Sequence, residues 1–256
     1  MDDQAALTER QRRIIEIVRE LGFATVEALA REFDVSAQTV RRDIIFLDER
    51  ELLQRFHGGA GLRETTVRLG YGQKQSVAAE AKIRIGEAVA ALIPEGASVF
   101  LDVGTTVEAV ARSLRIRNSL HVFTSSLAAA TLLAGRPGIE LFVTGGQVRG
   151  IDGSLVGETT TAALARFRLD YAVLGLSGFD DDGWIMDFDL QKVGVKQAAI
   201  AAARQTIAAA DAGKFERGAI VRVAPPERIA RLVTDAEPPA HLAALFRTAD
   251  LGVTIA

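Results

Sequence analysis

An α/β protein in two parts is the fold class that this sequence predicts, on three observations. Residues 1–61 hold three short amphipathic segments, then two short apolar runs about the Gly58–Gly59 pair. From Ala79 to the end, apolar runs of strand length alternate with helical patterns. Between these parts, residues 62–78 lose periodicity. Three helices and a hairpin make a winged helix-turn-helix. Apolar strands alternating with helices imply a parallel sheet covered on both faces. The expected division is 1–61 for the first domain, 62–78 for a linker and 79–256 for the second.

The first helix opens at Thr8, an N-cap with Gln11 three residues on in capping-box position. Ile14, Ile15, Ile17, Val18 and Leu21 then recur at helical spacing. Gly22 is a natural stop, because glycine takes positive φ without steric cost. Thr25 caps a second helix with Val26, Leu29, Ala30 and Phe33 facing inward. The stretch FDVS turns the chain, and Ser36 caps the third helix. On its wheel Val40, Ile44 and Leu47 share one face, while Gln38, Arg41, Arg42 and Ile45 lie on or near the other. ELLQRFHGGAGL then reads as two strands about a tight turn. RETTVRLGYGQKQS is a linker that could carry part of a dimer contact.

In the second domain the expected elements are helix 79–93, strand 97–103, helix 105–114, strand 120–124, helix 126–134 and strand 139–144. Helix 158–167, strand 170–176, helix 189–203, strand 205–210, strand 231–234, helix 239–246 and strand 250–255 complete it. The alanine-rich AAIAAARQTIAAADA reads as a helix running into a buried strand.

Composition excludes several chemistries. Without cysteine there are no disulfides and no thiolate metal sites. His57, His121 and His241 are far apart and in no ligand spacing, so neither a metal nor another cofactor is expected. The N-terminus turns from acidic to basic without an apolar run, and no stretch is long enough to cross a bilayer. This reads as a soluble cytoplasmic protein with no membrane partner. The net charge of −3 does not advertise a nucleic-acid partner. Residues 1–60 carry nine Arg, no Lys and twelve acidic residues. DNA binding there requires the basic groups to be focused on one face.

The third helix offers such a face. Arg41 and Arg42 at its front have the reach for major-groove base edges, where an Arg bonds guanine bidentately. Gln38 suits adenine or a phosphate, Ser36 and Thr39 suit phosphate, and Arg55 and His57 on the hairpin suit the backbone. Taken singly, each Arg is equally well a solvated side chain paired to Asp43 or Glu49. Arg10, Arg12 and Arg13 read as surface residues.

In the second domain, small and hydroxyl residues follow five expected strands. They are Gly104-Thr105-Thr106, Thr124-Ser125-Ser126, Gly145-Gly146, Ser177-Gly178 and Ala212-Gly213-Lys214. In a parallel sheet these ends share the edge where ligands bind. Backbone amides and helix N-termini there suit an anion, and Lys196 and Lys214 add full charge. The implied ligand is a small phosphate ester. Each motif alone is often only a cap or a turn, as Ser154, Gly157 and Asp102 often are; recurrence at five ends carries the reading. Arg149 is a weaker candidate. A sugar-phosphate isomerase would need a carboxylate base, and Asp102, Glu108, Glu158 and Asp211 are conceivable but unpaired. A DNA-binding scaffold with an inactive second domain is a third reading. An attached reading domain gives a sensor a purpose and an isomerase none, so the chain is read as no enzyme.

SAQTVRRDIIFLDERELLQRFHGGA resembles the helix-turn-helix and wing of the DeoR family of bacterial repressors. FLDVGTTVEAVA, TSS, TGG, DGSLVGE, RLDYAVLGLSGFDDDGWIMDFD and DAGKF resemble that family's sensor domain, in order, over nearly the whole chain. The resemblance implies a sensor fold related to ribose-5-phosphate isomerase and the CoA transferases, without isomerase activity. It implies a homo-dimer or tetramer on double-stranded operator DNA. It implies release by a phosphorylated inducer, glycerol 3-phosphate or a sugar phosphate. Carried across, the effector site falls on Gly104, Thr105, Thr106, Thr124, Ser125, Ser126, Gly145, Gly146 and Lys196, with Asp102, Asp211 and Lys214 nearby. Ser125 and Ser126 stand where relatives usually have Asn, Gly213 replaces a common Ser, and Ala37 a common Pro.

Overall fold

The computed structural model describes residues 7–21, 23–50, 52–56, 59–61, 74 and 76–256. The chain divides into two compact units, Met1–Ala79 and Glu80–Ala256. Gly22, His57, Gly58 and most of the expected linker lie outside the described residues.

The first unit runs α1 (Glu9–Leu21), β1 (Phe23–Thr25), α2 (Val26–Glu32), α3 (Ala37–Glu49), β2 (Gln54–Phe56) and β3 (Gly59–Gly61). Local chemistry sets the helix starts. Thr8 and Gln11 form a reciprocal capping box: Gln11 N donates to Thr8 Oγ1 at 3.2 Å, and Thr8 N to Gln11 Oε1 at 3.0 Å. Thr25 Oγ1 accepts from Ala28 N at 3.1 Å, and Ser36 Oγ from Thr39 N at 3.1 Å. Each such cap contributes about 1 kcal/mol. Ile14, Val18, Leu29, Val40, Ile44, Leu47 and Leu53 meet in one core. The hairpin pairs Gln54 with Gly61 and Phe56 with Gly59. Strand β1 was not expected. It pairs Ala24 with Ala60, making a sheet of order β1-β3-β2. Three residues abutting a helix are too short to show strand alternation.

The second unit begins with α4 (Ala79–Leu92), β4 (Ser98–Leu101), α5 (Thr105–Leu114), β5 (Leu120–Thr124), α6 (Leu127–Leu133) and β6 (Ile139–Val143). A hairpin, β7 (Gln147–Arg149) and β8 (Ser154–Val156), leads to α7 (Glu158–Leu164) and β9 (Leu169–Gly175). Then come β10 (Gly178–Phe179), β11 (Ile185–Asp187), α8 (Leu190–Ala202), β12 (Ala203–Ala209), β13 (Val221–Ala224), β14 (Arg231–Thr234), α9 (Ala240–Thr248) and β15 (Gly252–Ile255). Seven strands form one parallel sheet of order β15-β14-β12-β9-β4-β5-β6.

Both faces of its centre are buried. Phe100, Ala172 and Ala208 enter one core, while their neighbours Leu101, Val173 and Ala209 enter the other. That explains why these strands read as continuous apolar runs. Coverage thins at the β6 edge, where Phe142 and Val143 are exposed; Phe142 stacks on Phe123 with ring centroids 4.6 Å apart. The alanine-rich stretch does pass from α8 to β12 without an intervening loop. Unexpected elements are the β7–β8 hairpin and the three-stranded sheet β10-β11-β13, built from strands of two to four residues.

Candidate functional site

Helix α3 buries Val40, Asp43, Ile44 and Leu47. That rotation leaves Ser36, Gln38, Arg41, Arg42 and Ile45 exposed. Asp43 does not serve the arginines. Its carboxylate accepts from Arg10 Nε at 2.6 Å and Gln11 Nε2 at 3.1 Å, beneath the helix. Arg41 lies 4.0 Å from Glu27 with both side chains exposed, a contact of little worth. Arg42 makes no ion pair among the described residues. Ser36 and Thr39 share a hydroxyl–hydroxyl bond of 2.8 Å, which leaves one proton of the pair for an outside acceptor. Arg55 is exposed, its backbone N held by Asp48 at 3.0 Å. Arg12 donates to Leu7 O and Arg13 to Glu16. The unit thus presents two exposed guanidiniums with no strong internal partner at the front of one helix.

In the second unit the strand order reverses direction between β4 and β9, so their carboxyl ends flank the switch point of the sheet. Asp102 follows β4 and Gly175 ends β9, and Asp102 Oδ2 accepts from Gly175 N at 3.1 Å. Lys196 of α8 reaches into this point. Its ammonium donates to Asp102, to Gly175 O at 2.6 Å and lies 3.3 Å from Asp187 Oδ2. Burial pushes the Asp102 carboxyl up, against the pull of Lys196. Burial also opposes charge on Lys196, but Asp102 and Asp187 outweigh it and hold the ammonium above its ordinary value. Lys196, expected from the sequence to add full charge to the pocket, is ion-paired within the protein.

Lys214 differs. It lies in the turn after β12, buried, and its ammonium has no hydrogen-bonded or ion-paired partner among the described residues. Burial pushes it down to about 8; Asp211 and Asp187 oppose this, while Arg217 and Lys82 add to it. β12 stands two strands from β4, roughly 10 Å at ordinary strand spacing.

Gly104 has φ +136, and a Cβ there would meet nothing within 4 Å. Helix α5 starts after it with no side-chain cap among the described residues, and the first-turn amides of a helix can serve an acceptor. Thr105 and Thr106 are buried in that turn. Thr124 is spent internally: Oγ1 donates to Leu101 O at 2.8 Å and accepts from Ser126 N at 3.0 Å. Ser126 caps α6 through Ala129 N. Ser125 Oγ has no partner among the described residues. Gly145 opens on free space, whereas a Cβ on Gly146 (φ +113) would lie 2.1 Å from Thr160 Oγ1. Ser177 donates to Asp187 at 3.2 Å, and Arg149 is tied to Asp189 at 2.6 Å.

Sequence reasoning missed Lys82, Arg217, Asp187 and Thr234. Lys82 was findable, because a helix preceding β4 must start at the ligand edge of the sheet. Thr234 ends β14, fully buried with its hydroxyl unpartnered among the described residues. The arrangement brings a helix start, hydroxyls and a buried cation with no hydrogen-bonded or ion-paired partner among the described residues to one edge. That set suits a small anion. Ion pairing to Lys196 spends the buried carboxylate of Asp102.

Residues 10–66 match the DeoR-like helix-turn-helix domain and residues 77–236 the DeoR C terminal sensor domain. The glycerol-3-phosphate regulon repressor of Escherichia coli (strain K12) is 38% identical over 232 residues, 91% of this chain and 92% of that protein. The repressor of the same description from Haemophilus influenzae is 41% identical over 214 residues, 84% of each. Among solved structures, ribose 5-phosphate isomerase A from Methanocaldococcus jannaschii aligns over 54% of this chain and 55% of its own, at 14% identity and TM-score 0.41.

Proposed function

Because this chain belongs to the DeoR family of transcriptional repressors, we propose that it holds its operator through α3 and releases it when glycerol 3-phosphate enters the strand-end crevice. The chain is a DNA-binding repressor of a carbon-source operon with a small-molecule sensor domain, a regulator and not an enzyme. The finer reading concerns the effector, the residues and the assembly.

The observation that carries the effector reading is Lys214: a buried ammonium without a hydrogen-bonded partner among the described residues, at the same sheet edge as the start of α5. A phosphate ester bridges such groups, because its charge offsets the burial penalty while its oxygens accept from main-chain N–H. Gly104, Thr105, Thr106, Ser125 and Gly145 line the ester, and Lys214 supplies the charge. Thr124, Ser126, Gly146, Asp102, Asp211 and Lys196 shape the crevice. On the DNA side Arg41, Arg42 and Gln38 face base edges, and Ser36, Thr39 and Arg55 the phosphates; His57 lies outside the described residues. A homo-oligomer brings two copies of α3 to successive major grooves. Effector and operator then oppose each other through a coupling of about 1–3 kcal/mol.

The test is a thermal-shift and operator-release series with glycerol 3-phosphate, glycerol and several sugar phosphates. Stabilisation and release by glycerol 3-phosphate but not glycerol are expected. Response to another sugar phosphate alone reassigns the effector. Indifference to all of them leaves a DNA-binding scaffold and overturns the sensor reading.

A further inference from the structure

The hairpin β7–β8 joins two parts of the crevice that are distant in sequence. It follows the Gly145–Gly146 turn directly and pairs Val148 with Leu155 and Arg149 with Ser154. On one side its main chain is bonded to the loop after β5: Leu155 N donates to Ser125 O at 2.7 Å, Leu127 N donates to Gly153 O at 3.0 Å, and Ser126 bridges Ser154. On the other side it is bound to α8 by two ion pairs. Arg149 Nε lies 2.6 Å from Asp189 Oδ2, and the Lys192 ammonium meets Asp152 Oδ2.

Both acids are built in. Asp189 is also the N-cap of α8, accepting from Gln191 N at 3.0 Å. Asp152 also accepts from Ser154 Oγ at 2.8 Å. Burial opposes their charge, but Arg149 and the α8 amides on Asp189, and Lys192 and Ser154 on Asp152, hold both carboxyls below the usual range. On α8, Lys192 stands one turn before Lys196, the residue anchored to Asp102 and Gly175 O at the switch point. The β7 side of the hairpin is exposed, Val148 and Ile151 included. Arg149–Asp189 ties β7, and Asp152–Lys192 the turn after it, to the body of the unit.

We propose that Arg149–Asp189 and Asp152–Lys192 are a clamp that positions the effector site. It fixes the hairpin, and through it the Ser125 loop and the Gly145–Gly146 turn, relative to α8. This rests on the reading that the effector binds at those strand ends. The clamp places four segments, β4, β5, β6 and α8, in one mechanical unit around the ligand. Loosening it leaves the sheet intact and spoils the alignment of the donors.

Two measurements test this on the full chain. Without ligand, Arg149→Ala combined with Asp152→Asn is expected to speed amide hydrogen exchange at Leu155 and Leu127, with the amides of β4 and β9 unchanged. Unchanged exchange at Leu155 and Leu127 overturns the clamp. With glycerol 3-phosphate as probe, the same variant is expected to bind roughly tenfold more weakly, in the range of coupling between linked sites. Arg149→Ala alone should also weaken binding, and Arg149→Lys, which keeps the charge, should retain most of the affinity. Equal weakening by Arg149→Lys and Arg149→Ala, or none by either, overturns the positioning role. A wild-type protein that binds no phosphorylated probe, while the exchange result holds, overturns the effector reading instead.

Discussion

Arg10 of α1 and Asp43 of α3 form a 2.6 Å ion pair beneath the third helix, and Gln11 bonds the second oxygen of the same carboxylate. The acid that sequence places beside Arg41 and Arg42 is thereby turned inward. Asp43 therefore pairs with neither arginine, and both side chains stay exposed.

Arg41→Ala and Arg42→Ala are each expected to weaken operator binding by roughly 1–3 kcal/mol if they read bases. Melting temperature should not change, because both side chains are exposed. Fluorescence anisotropy at several salt concentrations checks this, and an Arg that serves only a phosphate shows as a shallower salt slope. Wild-type affinity in both variants removes α3 as the reading helix.

Asp43→Ala strips the buried partner from Arg10 and Gln11. A cost of roughly 1–3 kcal/mol is expected in the first unit, because a buried donor is left unsatisfied. Urea unfolding followed in the isolated transition of that unit measures it. Operator affinity should fall with the loss of folded reading unit and recover at low temperature.

Lys196→Met leaves Asp102 buried without its counter-ion. Breaking such a pair typically costs about 3–5 kcal/mol, so the second unit should unfold at markedly lower denaturant. Adding Asp102→Leu should recover much of that loss. A single variant as stable as the wild type contradicts the committed role given to Lys196.

Lys214 gives a pH signature. Its folded value is about 8 against an ordinary 10.5. The unfolded chain therefore holds more protons between those values, and stability is expected to rise across that window. Effector binding runs the other way. An anion prefers the protonated form, so affinity should drop as pH passes about 8, approaching about tenfold per unit. Isothermal titration from pH 7 to pH 9.5 measures this. Lys214→Arg should flatten the profile; an unchanged slope in that variant assigns the titration elsewhere.

Thr105→Tyr fills the start of α5, the site proposed for the anion. Operator binding should persist, with release by glycerol 3-phosphate lost. Persisting release moves the effector away from α5.

Much of this was legible along the chain, because the deciding interactions are short-range. Thr8 with Gln11, Thr25 and Ser36 announce helix starts through bonds spanning three residues. The apolar runs from Val99 to Leu101 and from Ala172 to Leu174 announce strands buried on both faces. A parallel sheet then brings their carboxyl ends to one edge by topology alone. Only the tertiary structure decided which side chains spend their charge internally. The partners that turn Asp43 and Lys196 inward lie 33 and 94 residues away. The convergence of Lys82 and Arg217 on Lys214, and the clamp from Arg149 and Asp152 to α8, are likewise set by packing between distant segments. Periodicity records which face of an element is apolar. It does not record which charged groups meet across the fold, because that depends on distances that no local pattern encodes.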